Sequence, residues 1–217
     1  MCTATWVFNQ KGYELFFNRD ELLTRDQGEP PKKSILGGIS ILAPIDGDAG
    51  GTWIGVNEFG FAVCLLNYYS SKTSGGAGGY ISRGLLLHSL LDCPNRETAR
   101  DRIAAIDLQT YRPFTILLFE TATSSPFGIR WSGSGALEFD WAPSEPQSSS
   151  SFDTSKVVQG RVRLFHESFE GTDSTAHQHY HRSHEPDSGP YSVCMHRDDA
   201  ETQSLSHIEV TDRKIEF

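Results

Sequence analysis

Two chemically active features lie close to the start of the sequence. Residue 2 is a cysteine, and Asn18-Arg19-Asp20-Glu21 follows at the end of a run typical of a β-strand. Cysteine is small enough for methionine aminopeptidase to act before it, so we expect Met1 to be removed. Cys2 would then carry a thiol and an α-amine whose pKa is about 7.7–8.0. Such an amine can serve as base to its own nucleophile, which is the chemistry of amide or ester hydrolysis.

Each of these features also has a structural interpretation. A second residue is often part of a frayed terminus, and a charged run can form a solvated turn after a hydrophobic strand. The other cysteines, Cys64, Cys93 and Cys194, show no CxxC spacing, so we interpret them as free thiols. Cys64 and Cys194 lie in apolar runs that predict inert core residues. Only Cys2 has a position that favours reactivity.

Charge and hydropathy exclude two classes of partner. The formal net charge is −9, and the densest basic pair is Lys32-Lys33, so we predict no nucleic-acid partner. The longest apolar runs, 61–66 and 85–91, are far shorter than the roughly 20 residues that span a bilayer. The first residues lack the pattern of a secretory signal. These observations predict a cytoplasmic protein with no integral membrane segment.

The elements that position these residues alternate between strands and helices. Strands are predicted over 3–9, 13–18, 52–57, 61–67, 114–120, 127–131, 136–141, 191–196 and 204–211. Helices are predicted from Ser82, from Asn95 to about Ile106, and from Asp153 through a stripe of Val158, Val162, Phe165 and Phe169. Glu29–Lys33 and Ser144–Ser151 are interpreted as loops rich in Pro or Ser. This order predicts one α+β domain over residues 1–217.

Four motifs occur in a characteristic order. They are Met1-Cys2, Asn18-Arg19-Asp20-Glu21, Gly50-Gly51-Thr52-Trp53-Ile54-Gly55-Val56-Asn57 and Leu66-Asn67-Tyr68. This set resembles the NRDE family, also called the transport and Golgi organisation 2 family, well over residues 1–91 and weakly in the final hairpin. That family in turn resembles the N-terminal nucleophile (Ntn) hydrolases, in the branch of penicillin V acylase and bile salt hydrolase. The resemblance implies a four-layer αββα sandwich of two stacked antiparallel sheets, with Cys2 at the end of a central strand.

The resemblance also implies roles for individual residues. Cys2 matches the nucleophile, and Arg19 matches an arginine beside it whose charge would lower the thiol pKa. Either Asp20 or Glu21 matches the acid that orients the α-amine, with Asp20 as our candidate. Asn67 matches an oxyanion-hole donor. The amidases use a further asparagine and arginine, for which no counterpart is singled out among Arg161, Arg163 and Arg197.

A histidine-rich tract invites a different function. It contains His177, His179, His181 and His184, with His166 upstream and Glu185 beside it. Alternate histidines in an extended segment could bind a transition metal, or one could ligate haem, since the family has been linked to haem handling. The tract lacks a regular zinc spacing, so we interpret it as a solvated loop. We predict no metal and no cofactor.

Two functions of different classes remain at this point. The first is an Ntn-type amidohydrolase that cleaves an amide or ester bond of a small molecule. The second is a non-catalytic intracellular protein that binds or traffics haem or an acyl-lipid on the same fold. The intact Cys2, Arg19 and Asn67 favour the hydrolase, and the missing second-half partners favour the binding protein. Sequence leaves the substrate and the oligomeric state open.

Overall fold

The computed structural model describes residues 1–69, 79–140, 145–168 and 173–217. Its strands are β1 Cys2–Asn9, β2 Gly12–Leu22, β3 Glu29–Leu36, β4 Ile39–Ile45, β5 Ile54–Asn57, β6 Ala62–Asn67, β7 Phe114–Phe119, β8 Phe127–Trp131, β9 Ala136–Asp140, β10 Gln147–Ser149, β11 Ala200–Thr211 and β12 Ile215–Glu216. Its helices are α1 Arg83–Leu90, α2 Arg96–Ala104, α3 Thr154–Ser168 and α4 Ser174–His181, with a short 3-10 helix at Leu108–Thr110.

The chain divides into two compact units. The first comprises Met1–Asp26 with Ala142–Phe217, and the second comprises Gln27–Trp141. Each unit contains one antiparallel sheet and two of the α-helices. The mixed α+β composition is therefore as predicted, whereas a single domain over residues 1–217 stays a prediction.

The sheet of the first unit has the strand order β10-β1-β2-β11-β12. The predicted first hairpin is confirmed, because β1 and β2 pair from Asn9 with Gly12 back to Cys2 with Arg19. Gly12 has a φ of +147°, and a Cβ placed on it would lie 2.0 Å from the backbone oxygen of Val210. Only glycine fits this close approach of β11. The tight turn fixes the register that sets Cys2 opposite Arg19.

The second unit contains a seven-stranded sheet with the order β3-β4-β5-β6-β7-β8-β9. The predicted β5–β6 hairpin and the strands near 114, 127 and 136 are confirmed. Both predicted helices form, and Asn95 caps α2 by accepting a hydrogen bond from the Thr98 N–H. Leucines on α1 are buried in one core cluster with apolar residues of the sheet. This core places Asn67 at the end of an interior strand.

The Pro-rich segment Glu29–Lys33 is a strand rather than the predicted loop. It lies in β3, at one edge of the sheet, and most of β3 is exposed. Proline cannot donate a backbone hydrogen bond, and an edge strand has one side that needs no donor. Pro30 and Pro31 are therefore compatible with a strand at this position.

The prediction of a loop over Ser144–Ser151 is also wrong for its described part. Gln147–Ser149 forms β10, which pairs with the first three residues of β1. The Cys2 N–H donates to Ser149 Oγ at 3.1 Å, and Thr3 Oγ1 lies 3.2 Å from Ser148 Oγ. Serine side chains thus hold a strand whose composition is typical of a loop.

The predicted strand over Tyr191–His196 does not form, apart from one isolated bridge between His196 and Glu201. Its backbone is instead bound by side chains. Arg161 donates to the backbone oxygen of Ser192 at 2.6 Å, and Asn18 donates to that of Val193 at 3.1 Å. The last hairpin is therefore β11 with β12.

Helix α3 begins after Asp153 and buries Phe165, as predicted, but the two earlier positions of its buried stripe are each one residue nearer the N-terminus. Val157, Arg161 and Phe165 are at most 4% exposed, and Val158 and Val162 are half-buried. Phe169 lies outside the described residues. The shift makes an arginine part of the buried face, which the apolar pattern alone does not predict.

The histidine-rich tract is largely helical rather than a solvated loop. His177 and His181 are one turn apart on α4 and are buried. Phe16 stacks on both rings. His177 Nδ1 and His181 Nε2 lie 2.8 and 2.9 Å from Thr5 Oγ1. These two histidines therefore bind the helix to the sheet of the first unit.

The direction of these hydrogen bonds follows from Asn18. Its Nδ2 donates to the backbone oxygens of His181 and Val193, so its Oδ1, 2.9 Å from His181 Nδ1, is the acceptor. His181 Nδ1–H then donates to Asn18, and the neutral ring accepts from the Thr5 hydroxyl at Nε2. Burial lowers the pKa of His181 well below its usual value. The electrostatic effects of His177, Arg161 and His207 lower it further.

No helix among the residues that the structure describes is both long and apolar enough to cross a membrane.

We expect His181→Ala to lower the free energy of unfolding by about 1–3 kcal/mol, because it leaves the buried Asn18 carbonyl without its donor, while the Thr5 hydroxyl keeps its contact with His177. Urea unfolding at about pH 7.5 measures this loss. His179 is exposed on the same helix, so His179→Ala is the matched control and should change stability by less than about 0.5 kcal/mol.

The same two variants report on the pKa of His181. Because its pKa is lowered in the folded state, the unfolded chain binds a proton first as pH falls. The stability that neutral His181 contributes is present above about pH 6.5 and is lost as pH falls below that value. The stability difference between wild type and His181→Ala should therefore narrow between about pH 7.5 and pH 5. A constant difference would contradict the lowered pKa.

Candidate active site

Cys2 is the first residue of β1 and has strands on both sides. It pairs with Arg19 of β2 and with Ser149 of β10. The residue is 8% exposed. Pairing on both sides leaves this strand end little freedom, so the position of the thiol is determined by the ladder rather than by a frayed terminus.

The hydrogen bonds of Met1 determine how Cys2 faces Arg19. The Met1 amine donates to the backbone oxygen of Asp20 at 2.8 Å, and the Asp20 N–H donates to that of Met1 at 2.9 Å. Residues that exchange both bonds form a hydrogen-bonded pair, so the next pair, Cys2 with Arg19, is a non-hydrogen-bonded one. Its Cα atoms are about 4.5 Å apart and its side chains leave the same face of the sheet.

The thiol of Cys2 is protonated at neutral pH in the chain that retains Met1. Burial raises its pKa from 9.0 to about 11. The terminal amine and Arg19 act in the opposite direction, and Asp20 and Glu21 raise the pKa further. The expected lowering by Arg19 has the right sign, but desolvation is the larger effect. The expectation of a lowered pKa concerns the chain without Met1, whose Cys2 carries the free amine, and it stays a prediction.

Asp20 is buried and its carboxylate is bound by two residues. Oδ1 accepts from Thr202 Oγ1 at 2.6 Å, and Oδ2 accepts from Arg161 Nη1 at 3.4 Å. The side chains of Asp20 and Arg161 are 0% and 1% exposed. A buried charge is stable only when it is paired and hydrogen-bonded. Arg161 is thus the counter-ion of Asp20.

Of the three arginines in the second half that the sequence leaves open, Arg161 is the one that contacts Asp20. Besides Asp20, it donates to Thr3 Oγ1 at 2.6 Å and to the backbone oxygen of Ser192 at 2.6 Å. By contrast, the side chain of Arg163 is 74% exposed, and Arg197 pairs with Asp199. A signal existed in the sequence, because Arg161 lies four residues from both Val157 and Phe165 on one helical face.

The two acids after Arg19 lie on opposite faces of β2. Glu21 Oε2 is 3.4 Å from Arg19 Nη2 and 3.5 Å from Arg25 Nε. Successive strand residues face opposite sides, so Glu21 shares the face of Cys2 and Arg19. Asp20 shares the other face with Thr3, toward Arg161 of α3. The backbone nitrogen of Cys2 contacts neither carboxylate and donates to Ser149 Oγ.

Asn67 is the last residue of β6, in the second unit, and is partly exposed. Its Nδ2 donates to Tyr69 Oη at 3.0 Å. Its use as an oxyanion-hole donor stays a prediction, as do the catalytic roles of Cys2, Arg19 and Asp20.

Comparison with known families extends the resemblance seen in the motifs. A family profile described as Transport and Golgi organisation 2 matches residues 1–205. The chain belongs to this family. The match includes most of the second half of this Transport and Golgi organisation 2 family member, where its motifs fade. A comparison with curated proteins found no match.

Among solved structures, this family member is similar to a Caenorhabditis elegans ortholog of N-acylethanolamine-hydrolyzing acid amidase. The TM-score is 0.59 and the identity 11%, over 84% of this chain and 86% of that chain. At this identity the likeness concerns the fold alone. It confirms the predicted α+β fold of the Ntn-hydrolase type.

Two further structures are similar over a smaller share of their length. Penicillin V acylase from Agrobacterium tumefaciens has a TM-score of 0.47 and 14% identity, over 76% of this chain and 57% of that chain. A mutant conjugated bile acid hydrolase from Clostridium perfringens has a TM-score of 0.46 and 14% identity, over 78% of this chain and 58% of that chain. The chain thus spans little more than half of these two proteins.

We expect the Cys2 thiol of Met1-bearing protein to be alkylated slowly at neutral pH, because burial holds its pKa near 11. Site-resolved iodoacetamide labelling measures the rate against pH. The rate should rise only well above pH 9, and Arg19→Ala should move the rise to still higher pH. Urea-unfolded protein is the control, since its thiols titrate near about 8.5. Rapid labelling of folded protein at neutral pH would contradict the raised pKa.

We expect Arg161→Ala to destabilise the protein by about 3–5 kcal/mol, because it leaves the buried Asp20 carboxylate without its counter-ion. The matched control is Arg163→Ala, an exposed arginine on the same helix, which should cost less than about 0.5 kcal/mol. The double variant Asp20→Asn with Arg161→Met removes both charges. It should be more stable than Arg161→Ala alone, as measured by urea unfolding. Equal effects of Arg161→Ala and Arg163→Ala would contradict the pairing.

Proposed function

We propose that the chain is an Ntn-type amidohydrolase in which Cys2, freed by removal of Met1, attacks an amide or ester carbonyl of a small molecule. The observation that carries the proposal is the pairing of Cys2 with Arg19 as the non-hydrogen-bonded pair at the end of an interior strand. A fixed guanidinium on the same face as the thiol favours the thiolate.

Removal of Met1 has three consequences in this proposal. The backbone nitrogen of Cys2, 3.1 Å from Ser149 Oγ, becomes the α-amine and keeps a hydrogen-bond partner that fixes its direction. The N–H and C=O of Asp20 lose the bonds to Met1. The space of the Met1 side chain, whose sulfur lies 3.0 Å from Ser150 Oγ, opens beside the new α-amine. The thiol then gains its base.

The proposed reaction proceeds in two steps. The α-amine takes the thiol proton, Cys2 Sγ bonds to the carbonyl carbon, and the same proton passes to the leaving amine or alcohol as its bond breaks. Water then attacks the thioester, gives a proton to the α-amine and releases the acid with the regenerated thiol. We assign the donor for the oxyanion to the Asn67 amide, a contact of a kind worth about 2.7–4 kcal/mol in the transition state.

Asp20, rather than Glu21, is the acid that we assign to the site. Two residues hold its buried carboxylate, so its charge is fixed in place beside the terminal residues. Glu21 is partly exposed and pairs with Arg19 and Arg25, so its carboxylate is held less rigidly than that of Asp20. On this assignment Asp20 is a positioning residue that stabilises the protonated amine from behind the sheet, and it does not touch substrate.

The substrate class and compartment are part of the same proposal. We assign a small amide or ester as substrate and the cytoplasm as location, with no nucleic-acid partner because the net charge is −9. The fold likeness to an acid amidase supports amide bonds as the first to test. The non-catalytic alternative, binding of haem or an acyl-lipid, is the outcome that the experiment below distinguishes.

The test compares two forms of one sequence, namely purified protein with Met1 retained and with Met1 removed, each verified by intact mass. The substrates are N-acylethanolamines, penicillin-like amides, lactones and simple acyl esters. We expect turnover only by the Met1-free form, because the retained form has the thiol without the α-amine. Cys2→Ala should reduce kcat by about a thousandfold or more, and Asn67→Ala by about a hundredfold with KM little changed.

Controls separate catalysis from binding. His179→Ala leaves every residue of the proposed site intact and should keep full turnover. Haem and acyl-CoA are titrated in parallel into Met1-free protein and its Cys2→Ala variant. Absence of turnover with every substrate, together with ligand affinity that is indifferent to Cys2→Ala, would falsify the hydrolase proposal in favour of a binding protein.

A further inference from the structure

Three side chains with metal-binding atoms meet in the first unit, beyond the end of α4. His184 Nε2 and His196 Nε2 are 3.0 Å apart, and Cys194 Sγ is 3.9 Å from His196 Nε2. The three ligand atoms all lie within 4.8 Å of one another. None of these residues belongs to the proposed hydrolytic site.

Two of these separations are close to those of a zinc site with nitrogen and sulfur ligands. Zinc is bound tetrahedrally at about 2.0–2.1 Å from a His nitrogen and about 2.3 Å from a Cys sulfur. Tetrahedral angles then place two nitrogens about 3.3 Å apart and a nitrogen and sulfur about 3.6 Å apart. The two distances that involve His196 differ from these by about 0.3 Å, and Cys194 Sγ lies within 4.8 Å of the His184 nitrogen. Side-chain rotation on binding would close the remaining gap.

The backbone around the three residues is held in place by hydrogen bonds. Cys194 N–H donates to the backbone oxygen of Ser183 at 2.9 Å, next to His184, and His196 N–H donates to that of Gly189 at 3.1 Å. Between them, Met195 N–H donates to Thr202 Oγ1 at 2.8 Å. The ligand atoms are therefore brought together by contacts that exist without a metal. His184 is exposed and Cys194 half-buried, so an ion can enter from solvent.

We propose that His184, Cys194 and His196 bind one zinc ion, with water in the fourth position. The site uses only His184 of the histidine-rich tract and adds two residues from the segment 191–196, so it differs from a site built of the histidines of the tract. Binding replaces the Cys194 S–H bond with a bond to zinc and releases the proton to solvent.

The ion would hold together two segments that support the candidate active site. Ser192 and Val193, directly before Cys194, accept hydrogen bonds from Arg161 and Asn18. Bound zinc connects this stretch to the end of α4 through His184. Its role is therefore to stabilise the first unit, and it does not depend on whether the protein hydrolyses amides.

The first test is equilibrium dialysis of tag-free protein against Zn²⁺ alone, followed by metal analysis. We expect one zinc per chain and a rise in the melting temperature, since an ion that binds only the folded state stabilises it. Cobalt is then substituted for zinc. Its spectrum should show thiolate-to-cobalt charge transfer and the intense visible bands of a four-coordinate ion.

Variants assign the ligands. Cys194→Ser should abolish the charge-transfer band. His184→Gln and His196→Gln should each weaken zinc binding at least tenfold. Loss of a residue that only supports a metal ligand already weakens binding by about 10–100-fold, so loss of a ligand should cost at least the lower value. The matched control is His179→Gln, another exposed histidine of the tract, which should bind zinc like wild type. Circular dichroism verifies that each variant is folded. Absence of zinc binding by wild type, or equal binding by His184→Gln and His179→Gln, overturns the site.

Discussion

The buried ion pair of Asp20 with Arg161 is the interaction on which the architecture of the first unit depends. Both side chains are at most 1% exposed, so neither charge is tolerated without the other. The hydrogen bonds of the two charged groups are completed by Thr3 of β1, Thr202 of β11 and the backbone oxygen of Ser192, which must therefore lie close together. Strands from both ends of the chain and helix α3 are thereby fixed relative to each other. Because Asp20 faces this cluster, Arg19 must face the opposite side, where Cys2 lies.

Local patterns in the sequence were sufficient for much of the fold. The β1–β2 hairpin follows from alternation of side chains around Gly12, and α2 from the cap at Asn95, because each depends on residues close in sequence. Errors occurred where distant side chains satisfy the backbone. Gln147–Ser149 is a strand because β1 lies beside it, and 191–196 is not a strand because Arg161 and Asn18 bind its carbonyls. No local pattern contains those partners.

The candidate site was predictable to a similar extent. Cys2 and Arg19 could be found from the motif and the hairpin register, both of which are local. The counter-ion of Asp20 could not, because Arg161 lies 141 residues further along the chain. The raised pKa of Cys2 in the Met1-bearing chain could not be found locally either, since burial depends on the whole fold and outweighs the charge of Arg19. A resting thiol with a pKa near 11 is unreactive at neutral pH, which is compatible with the proposal that Cys2 acquires its base only when Met1 is removed.

The irregular segment 191–196 shows how one constraint can produce several features. The carbonyls of Ser192 and Val193 accept hydrogen bonds from a buried arginine and a buried asparagine. The N–H groups of Cys194 and His196 donate to the backbone oxygens of Ser183 and Gly189. These contacts bend the segment and hold Cys194 and His196 close to His184. The arginine that neutralises Asp20 therefore also helps to position the backbone that precedes the proposed zinc site.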